Sequence, residues 1–163
     1  MLFQPTTGLD VTRIQSAAIP FRCDAAGALE VLLVTSRKRA RWVLPKGKAK
    51  RGMLAHSAAA MEAFEEAGVI GAVERMPIGS YQQRKFTTDG ARVTRTIRAY
   101  PLRVETLLRS WPEKTLRERR WMTVETAVAV VDDDTLRGVL RSFADAYRSR
   151  MSDASIIRPS SVL

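Results

Sequence analysis

The chain has 163 residues, 45% of them hydrophobic and 27% charged, which suits one domain with a buried core and excludes a disordered chain. Its 27 Lys and Arg against 17 Asp and Glu leave a formal charge of +10, a field that gathers phosphate-rich partners without saying which. A single cysteine, Cys23, excludes an intramolecular disulfide, and no apolar run approaches the roughly 20 residues that span a bilayer.

The opening stretch MLFQPTTGLD lacks the basic and apolar regions of a secretory signal, so the expected compartment is the reducing cytoplasm, with no membrane attachment. Residues 13–21, RIQSAAIPF, predict a strand, and DAAG after them a turn. Residues 28–36, ALEVLLVTS, are apolar and β-branched, the pattern of a strand buried on both faces. RWVLP is a short extended piece ended by Pro45, and KGKAKRG reads as a loop. From about Ser57 to Ala67 the alanine-rich segment predicts a helix, with Gly68 where a C-terminal glycine belongs.

PIGSYQQRKFTT and RVTRTIRAYPLRVE predict two strands separated by the turn TDG, and RERRWMT a further short strand. VETAVAVV reads as helical. So does the stretch to residue 150, where Leu136, Val139, Leu140, Phe143 and Tyr147 form one stripe. The expected organisation is a single domain over 1–150 with a poorly ordered tail over 151–163. Strands interleaved with two or three helices point to an α/β sandwich.

Two features of the chain carry chemistry. Residues 37–51, RKRARWVLPKGKAKR, hold eight basic side chains and no acidic one. Directly after them come Glu62, Glu65 and Glu66, at i, i+3 and i+4, so all three share one helical face. Taking 100° per residue, Ala60, Phe64 and Ala67 are expected on the opposite side, toward the core. Like charges at that spacing destabilise a helix, and nothing basic within the segment relieves them. A hard divalent cation would, because it takes carboxylate oxygens together with water and substrate phosphates. Cations to hold phosphate beside carboxylates to hold metal are equipment for phosphoryl chemistry.

The stretch GKAKRGMLAHSAAAMEAFEEAGV, Gly47 to Val69, resembles the Nudix box, G-x5-E-x7-R-E-U-x-E-E-x-G-U with U aliphatic. The matching positions are Gly47, Glu62, Glu65, Glu66, Gly68 and Val69, with Ala63 at the first U. VLLVTSRKRARWVLPKG upstream and RERRWMTVETAVAVV downstream resemble the branch that hydrolyses diphosphoinositol polyphosphates and diadenosine polyphosphates.

The resemblance implies an α/β/α sandwich around a mixed β-sheet. It also implies hydrolysis of a diphosphate linkage by water attack on phosphorus, with Mg²⁺ (Mn²⁺ as the alternative) held by the helix glutamates and the Gly47 carbonyl. Carried over, Glu65 and Glu66 are metal ligands and Glu62 a ligand or the base. Arg37, Lys38, Arg39, Lys46 and Lys48 are candidate phosphate contacts, and Arg84 and Lys85, with Arg92, Arg95 and Arg98, extend that surface. The implied partner is a small-molecule polyphosphate. RNA 5′-end pyrophosphate removal is a second reading, opposed by the lack of an aromatic single-strand platform. The oligomeric state stays open.

The chain departs from the box at two places, with Met53 where Glu is expected and Met61 where Arg is expected. Replacing both members of an ion pair by apolar groups leaves no orphaned charge, so the two methionines are expected to pack together. Lost support for a ligand carboxylate costs about 10 to 100-fold in activity or metal affinity. A catalytically weak polyanion-binding module is therefore the alternative from another class. Of the remaining residues, Glu118 and Glu125 are candidates for a further ligand. His56, Cys23, Trp42, Trp111 and Trp121 are expected in local or packing roles.

Overall fold

The computed structural model of the protein describes residues 14–86 and 88–157, with side chains as far as residue 153. The start of the chain, on which the secretory-signal reading rests, lies outside the described residues. In chain order the elements are β1 (Ile14–Cys23), β2 (Leu29–Thr35), β3 (Trp42–Val43), β4 (Lys46–Gly47) and α1 (Ala55–Ala67). They continue with β5 (Val69–Val73), β6 (Gly79–Phe86), β7 (Arg92–Leu107), β8 (Arg119–Thr123), α2 (Val124–Val130) and α3 (Asp134–Ile157).

The strands form one mixed sheet, with the order β3-β2-β1-β7-β5 along its main path. β1 and β7 run parallel, from Ile14 opposite Thr96 to Phe21 opposite Arg103. The neighbouring pairings are antiparallel, with β8 on β2, β6 on β7 and β4 on β1.

Strand pleat alternation sorts side chains into two cores. Ala17, Ile19 and Phe21 join Leu136, Leu140 and Phe143 of α3, whereas Ala18 joins Ala59, Ala63 and Ala67 of α1. β2 divides the same way, Val31 and Leu33 to one side and Leu32 and Val34 to the other, as expected of a strand buried on both faces. Helices thus cover both faces of the sheet, the α/β/α sandwich anticipated above.

The α1 face against the sheet is alanine throughout: Ala59, Ala63 and Ala67 recur every four residues and are fully buried. Small side chains let the helix axis approach the sheet closely. Ala67 and Ala60 lie on the core side as expected, but the expectation fails for Phe64 and for the outward placement of all three glutamates. Phe64 is 36% exposed and points to solvent, while Glu66 is 6% exposed and turns inward. A phenylalanine has no room in a contact built from alanine, so the helix is rotated and carries the glutamates to the sheet edge.

Four local differences have physical causes. β5, short and interrupted by Gly71, carries too weak a pattern to be read, yet it pairs with β7 through a bulge at Ile70/Gly71. Lys46 and Gly47, read as loop, pair with β1 at Ser16 and Ala17. The tail expected over 151–163 is helical through Ile157, because no helix breaker intervenes before Pro159, and 158–163 lie outside the described residues. Cys23, expected as a buried hydrophobe, is exposed at the end of β1, with Sγ 3.6 Å from the Tyr147 hydroxyl. Among the described residues no helix is long and apolar enough to cross a membrane.

Candidate active site

The site assembles where α1 ends and β4 begins. Gly68 closes the helix at φ 65°, and its amide returns to the carbonyls of Ala63 and Phe64. A Cβ there would press on the Trp111 ring and the Arg119 guanidinium, so glycine is required for conformation and for space. Trp111 Nε1 donates to the Glu66 carbonyl at 3.1 Å, and Arg119 stacks 3.7 Å from the Trp111 ring centroid. Arg119 Nη1 donates to the Ala67 carbonyl at 2.8 Å. The last turn, which bears two of the glutamates, is therefore clamped from outside.

Gly47 has no left-handed φ, so what the missing side chain supplies there is space. A Cβ at that position would overlap the Glu62 carboxylate, which fills the place a side chain would take. Glu66 receives the Lys46 backbone N–H on Oε2 at 3.4 Å and Arg117 Nη2 on Oε1 at 3.2 Å. Arg117 Nε also donates to Glu113 at 3.3 Å, and its Nη1 to the Thr35 carbonyl at 3.0 Å. Glu65 is half-buried, with Lys50 Nζ 3.9 Å away, and its carbonyl accepts the Glu113 N–H at 3.0 Å.

Electrostatics follow from this crowding. Burial pushes Glu66 up to about 7, with Glu62 and Glu113 adding to the rise and Arg117 opposing it. Burial likewise raises Glu62, reinforced by Glu65 and Glu113. Lys46 is pulled down to about 8 by burial first and by Lys85 second, while Glu66 holds it back. Its Nζ donates to Gln15 Oε1 at 3.1 Å.

The candidate phosphate contacts are spread over several elements. After burial, Lys85 and Arg95 lower the proton affinity of Lys46, and Arg95 and Lys38 that of Lys85, so these basic groups form a cationic belt beside the carboxylates. Arg84 lies at the wall of a neighbouring cavity together with Lys46. Arg37, Lys38 and Arg39 occupy the exposed turn between β2 and β3, closed by the Ser36 N–H on the Arg41 carbonyl at 2.8 Å. Lys48 is exposed in the loop before α1. Register separates the arginines of β7, since Arg95 opposes Gln83 and Arg98 opposes Ser80 and they point to opposite faces.

The late-chain acid candidates are corrected. Glu118 is exposed, and Glu125 lines a separate recess with its carboxylate 2.7 Å from Arg148 Nη2. Glu113 is the acid that reaches the helix glutamates, and it arrives with Arg117. Nothing local in PEKTLRE announces this, because the contact of Arg117 with Glu66 spans 51 residues of chain.

The donor set fits a hydrated divalent cation by chemistry: crowded carboxylate oxygens, each with a lone pair left after the contacts above, and electrostatic strain that added positive charge would relieve. Among the described residues no three acidic, His or Cys side chains form a ready-made metal cage.

A family model for the NUDIX domain matches residues 12–143. The chain belongs to the NUDIX family. It is 34% identical over 146 residues to "Nudix hydrolase 12, mitochondrial" of Arabidopsis thaliana, covering 80% of this chain and 72% of that protein. To the "Diphosphoinositol polyphosphate phosphohydrolase 3-beta" of Bos taurus it is 35% identical over 120 residues, covering 72% and 68%. The fold is shared with a C. elegans Ap4A hydrolase, solved as a binary complex, at a TM-score of 0.64 and 20% identity over 83% of this chain and 98% of that one. The family makes this NUDIX chain a pyrophosphohydrolase acting on small-molecule phosphate substrates, as the sequence suggested.

Proposed function

We propose that this NUDIX enzyme is a Mg²⁺-dependent hydrolase of diphosphate linkages in strongly anionic substrates, either diadenosine polyphosphates or diphosphoinositol polyphosphates. The observation that carries the reading is the convergence of Glu62 and Glu66 on the backbone of Lys46 and Gly47, with Glu65 one residue before Glu66 on the same helix, beside the basic residues Lys46, Lys85 and Arg95. Glu65 and Glu66, with the Gly47 carbonyl, would hold the cation, and Glu62 is a further ligand or the base. The cation supplies Lewis acidity toward phosphate oxygens; Mn²⁺ would serve the same oxygen donors. A carboxylate of the trio accepts the proton of the attacking water. The water oxygen forms the new bond to phosphorus as the bridging P–O bond breaks, and the departing phosphate keeps the electron pair. The lysines and arginines neutralise its charge.

A second reading is favoured by Met53 and Met61, which replace the box ion pair: a domain that binds polyanions with weak catalysis. Phosphate release from diadenosine pentaphosphate and from a diphosphoinositol pentakisphosphate, with and without Mg²⁺ and with Glu66→Gln as control, separates the two. Metal-dependent turnover lost in the control supports the hydrolase; metal-independent binding without turnover supports the binding module. The cytoplasmic placement rests on the exposed thiol of Cys23, which suits a reducing compartment, although several plant relatives bear mitochondrial or chloroplastic names.

A further inference from the structure

Lys46 is held at both ends. Its backbone N–H reaches Glu66 Oε2 at 3.4 Å, and its ammonium donates to Gln15 Oε1 at 3.1 Å. Gln15, near the start of β1, is a buried polar side chain, only 8% exposed. Strand register explains the meeting. Lys46 opposes Ala17 of β1, and Gln15, two residues before Ala17, lies on the same face one diagonal step away. Gln15 in turn opposes Ile97 of β7, with Arg95 two residues before it. Arg95 opposes Gln83 of β6, with Lys85 two residues on. One face of the sheet thus carries Lys46, Gln15, Arg95, Gln83 and Lys85 in a row over four strands, and none of the five is acidic.

The choice of acceptor matters. A buried ammonium beside further cations is ordinarily paired with a carboxylate, which cancels its charge. Glu66 acts on Lys46, but its oxygens are engaged, one by the Lys46 backbone N–H and the other by Arg117. Gln15 offers a neutral amide instead. An ammonium donates and cannot accept, so it fixes the amide with Oε1 toward Lys46. The contact sets the direction of the lysine side chain and leaves its charge whole. It uses one of the three N–H donors of the ammonium, and two remain for a ligand. Cations gathered on one face without acids repel one another in the free protein, and an anion with several charges relieves that repulsion.

Resting on the hydrolase reading above, we propose that Gln15 is a positioning residue. Its amide oxygen aims the Lys46 ammonium along the row toward Arg95 and Lys85, so the polyphosphate of the substrate meets charges that are held in place and not cancelled. Gln15 acts through Lys46, and it does so by being neutral. A carboxylate of the same shape would hold the lysine equally well and remove its attraction for phosphate.

The test compares wild type with Gln15→Glu, Gln15→Met and Lys46→Met. Binding of inorganic tripolyphosphate is measured by calorimetry in EDTA, where no turnover occurs, and hydrolysis of diadenosine tetraphosphate is measured in Mg²⁺. Gln15→Glu is expected to weaken tripolyphosphate binding about tenfold and to raise KM by a similar factor, with kcat little changed. Its melting temperature should hold or rise, because the new carboxylate pairs with Lys46, a split that no purely structural role gives. Gln15→Met keeps the length and loses the acceptor, and it should weaken binding about 3- to 5-fold. In the Lys46→Met background Gln15→Met should add nothing, as expected of two residues acting as one unit. Tripolyphosphate binding unchanged in Gln15→Glu, or a Gln15→Met effect that persists undiminished without Lys46, overturns the proposal even if hydrolysis is robust. Gln15-dependent binding in a protein without metal-dependent turnover leaves the positioning role standing and removes the hydrolase reading instead.

Discussion

Arg117 holds Glu66 through a 3.2 Å contact from Nη2 to Oε1, with side chains only 10% and 7% exposed. The same guanidinium reaches Glu113 at 3.3 Å, so one cation serves two acids. In the Nudix pattern an arginine within the box is expected at position 61, where this chain has Met61. Arg117 brings a forked cation to the box glutamates from a distant loop, and Met61 can then be tolerated.

Arg117→Ala should accordingly damage both stability and turnover. Removing one partner of a buried pair leaves carboxylates without compensation, at a cost of about 3 kcal/mol. Loss of the support that orients a ligand carboxylate should lower kcat about 10 to 100-fold. Arg117→Lys keeps the charge but loses the fork, so its melting temperature should recover more than its turnover does. Equal recovery of the two in thermal melts and steady-state kinetics would show that Arg117 supplies charge alone.

The spacing of Glu62, Glu65 and Glu66 and the position of Gly68 were legible because they are local: helical geometry and a left-handed cap need no knowledge of the rest of the chain. The two-sided burial of β2 was legible for the same reason. The rotation of α1 was not, since whether Phe64 or Glu66 faces inward depends on how closely the sheet approaches, which Ala18, Leu32 and Tyr100 decide. Arg117 and Glu113 were beyond reach because their importance is made by contacts across the fold. Glu118, one residue from Arg117, was singled out and is exposed.

Gly47→Ala tests the space argument at the other end of the site. The backbone there suits any residue, so stability should change by under about 1 kcal/mol once Glu62 has moved. The displaced carboxylate should raise the Mg²⁺ concentration for half-maximal rate about tenfold or more. A normal metal titration with reduced stability would mean that Glu62 does not need its present position.

Glu66 also gives the metal-free protein a defined pH response. Its folded value of about 7 stands above the ordinary 4.5, so across that window the folded chain keeps a proton that the unfolded chain has released. The stabilisation is complete below about 4.5 and is lost as pH rises through about 7. In EDTA the melting temperature of wild type should fall between pH 5 and pH 8 by several degrees more than that of Glu66→Gln. Mg²⁺ at pH 8 should restore it in wild type only. Parallel pH profiles for the two proteins would refute the assignment.

Restoring the box pair asks whether Met53 and Met61 limit catalysis. Both are half-buried, Met53 just before α1 and Met61 in its second turn, and Arg117 already occupies Oε1 of Glu66. Met53→Glu alone places an uncompensated carboxylate next to a crowded acidic site and should destabilise the protein by about 1 to 3 kcal/mol. Met61→Arg combined with it should recover that loss through the new pair. Turnover of the double variant should rise less than about threefold, because the orienting contact is already made by Arg117. A rise of tenfold or more, read in the same phosphate-release assay, would mean that the methionines hold the enzyme back and that Arg117 does not replace the missing arginine.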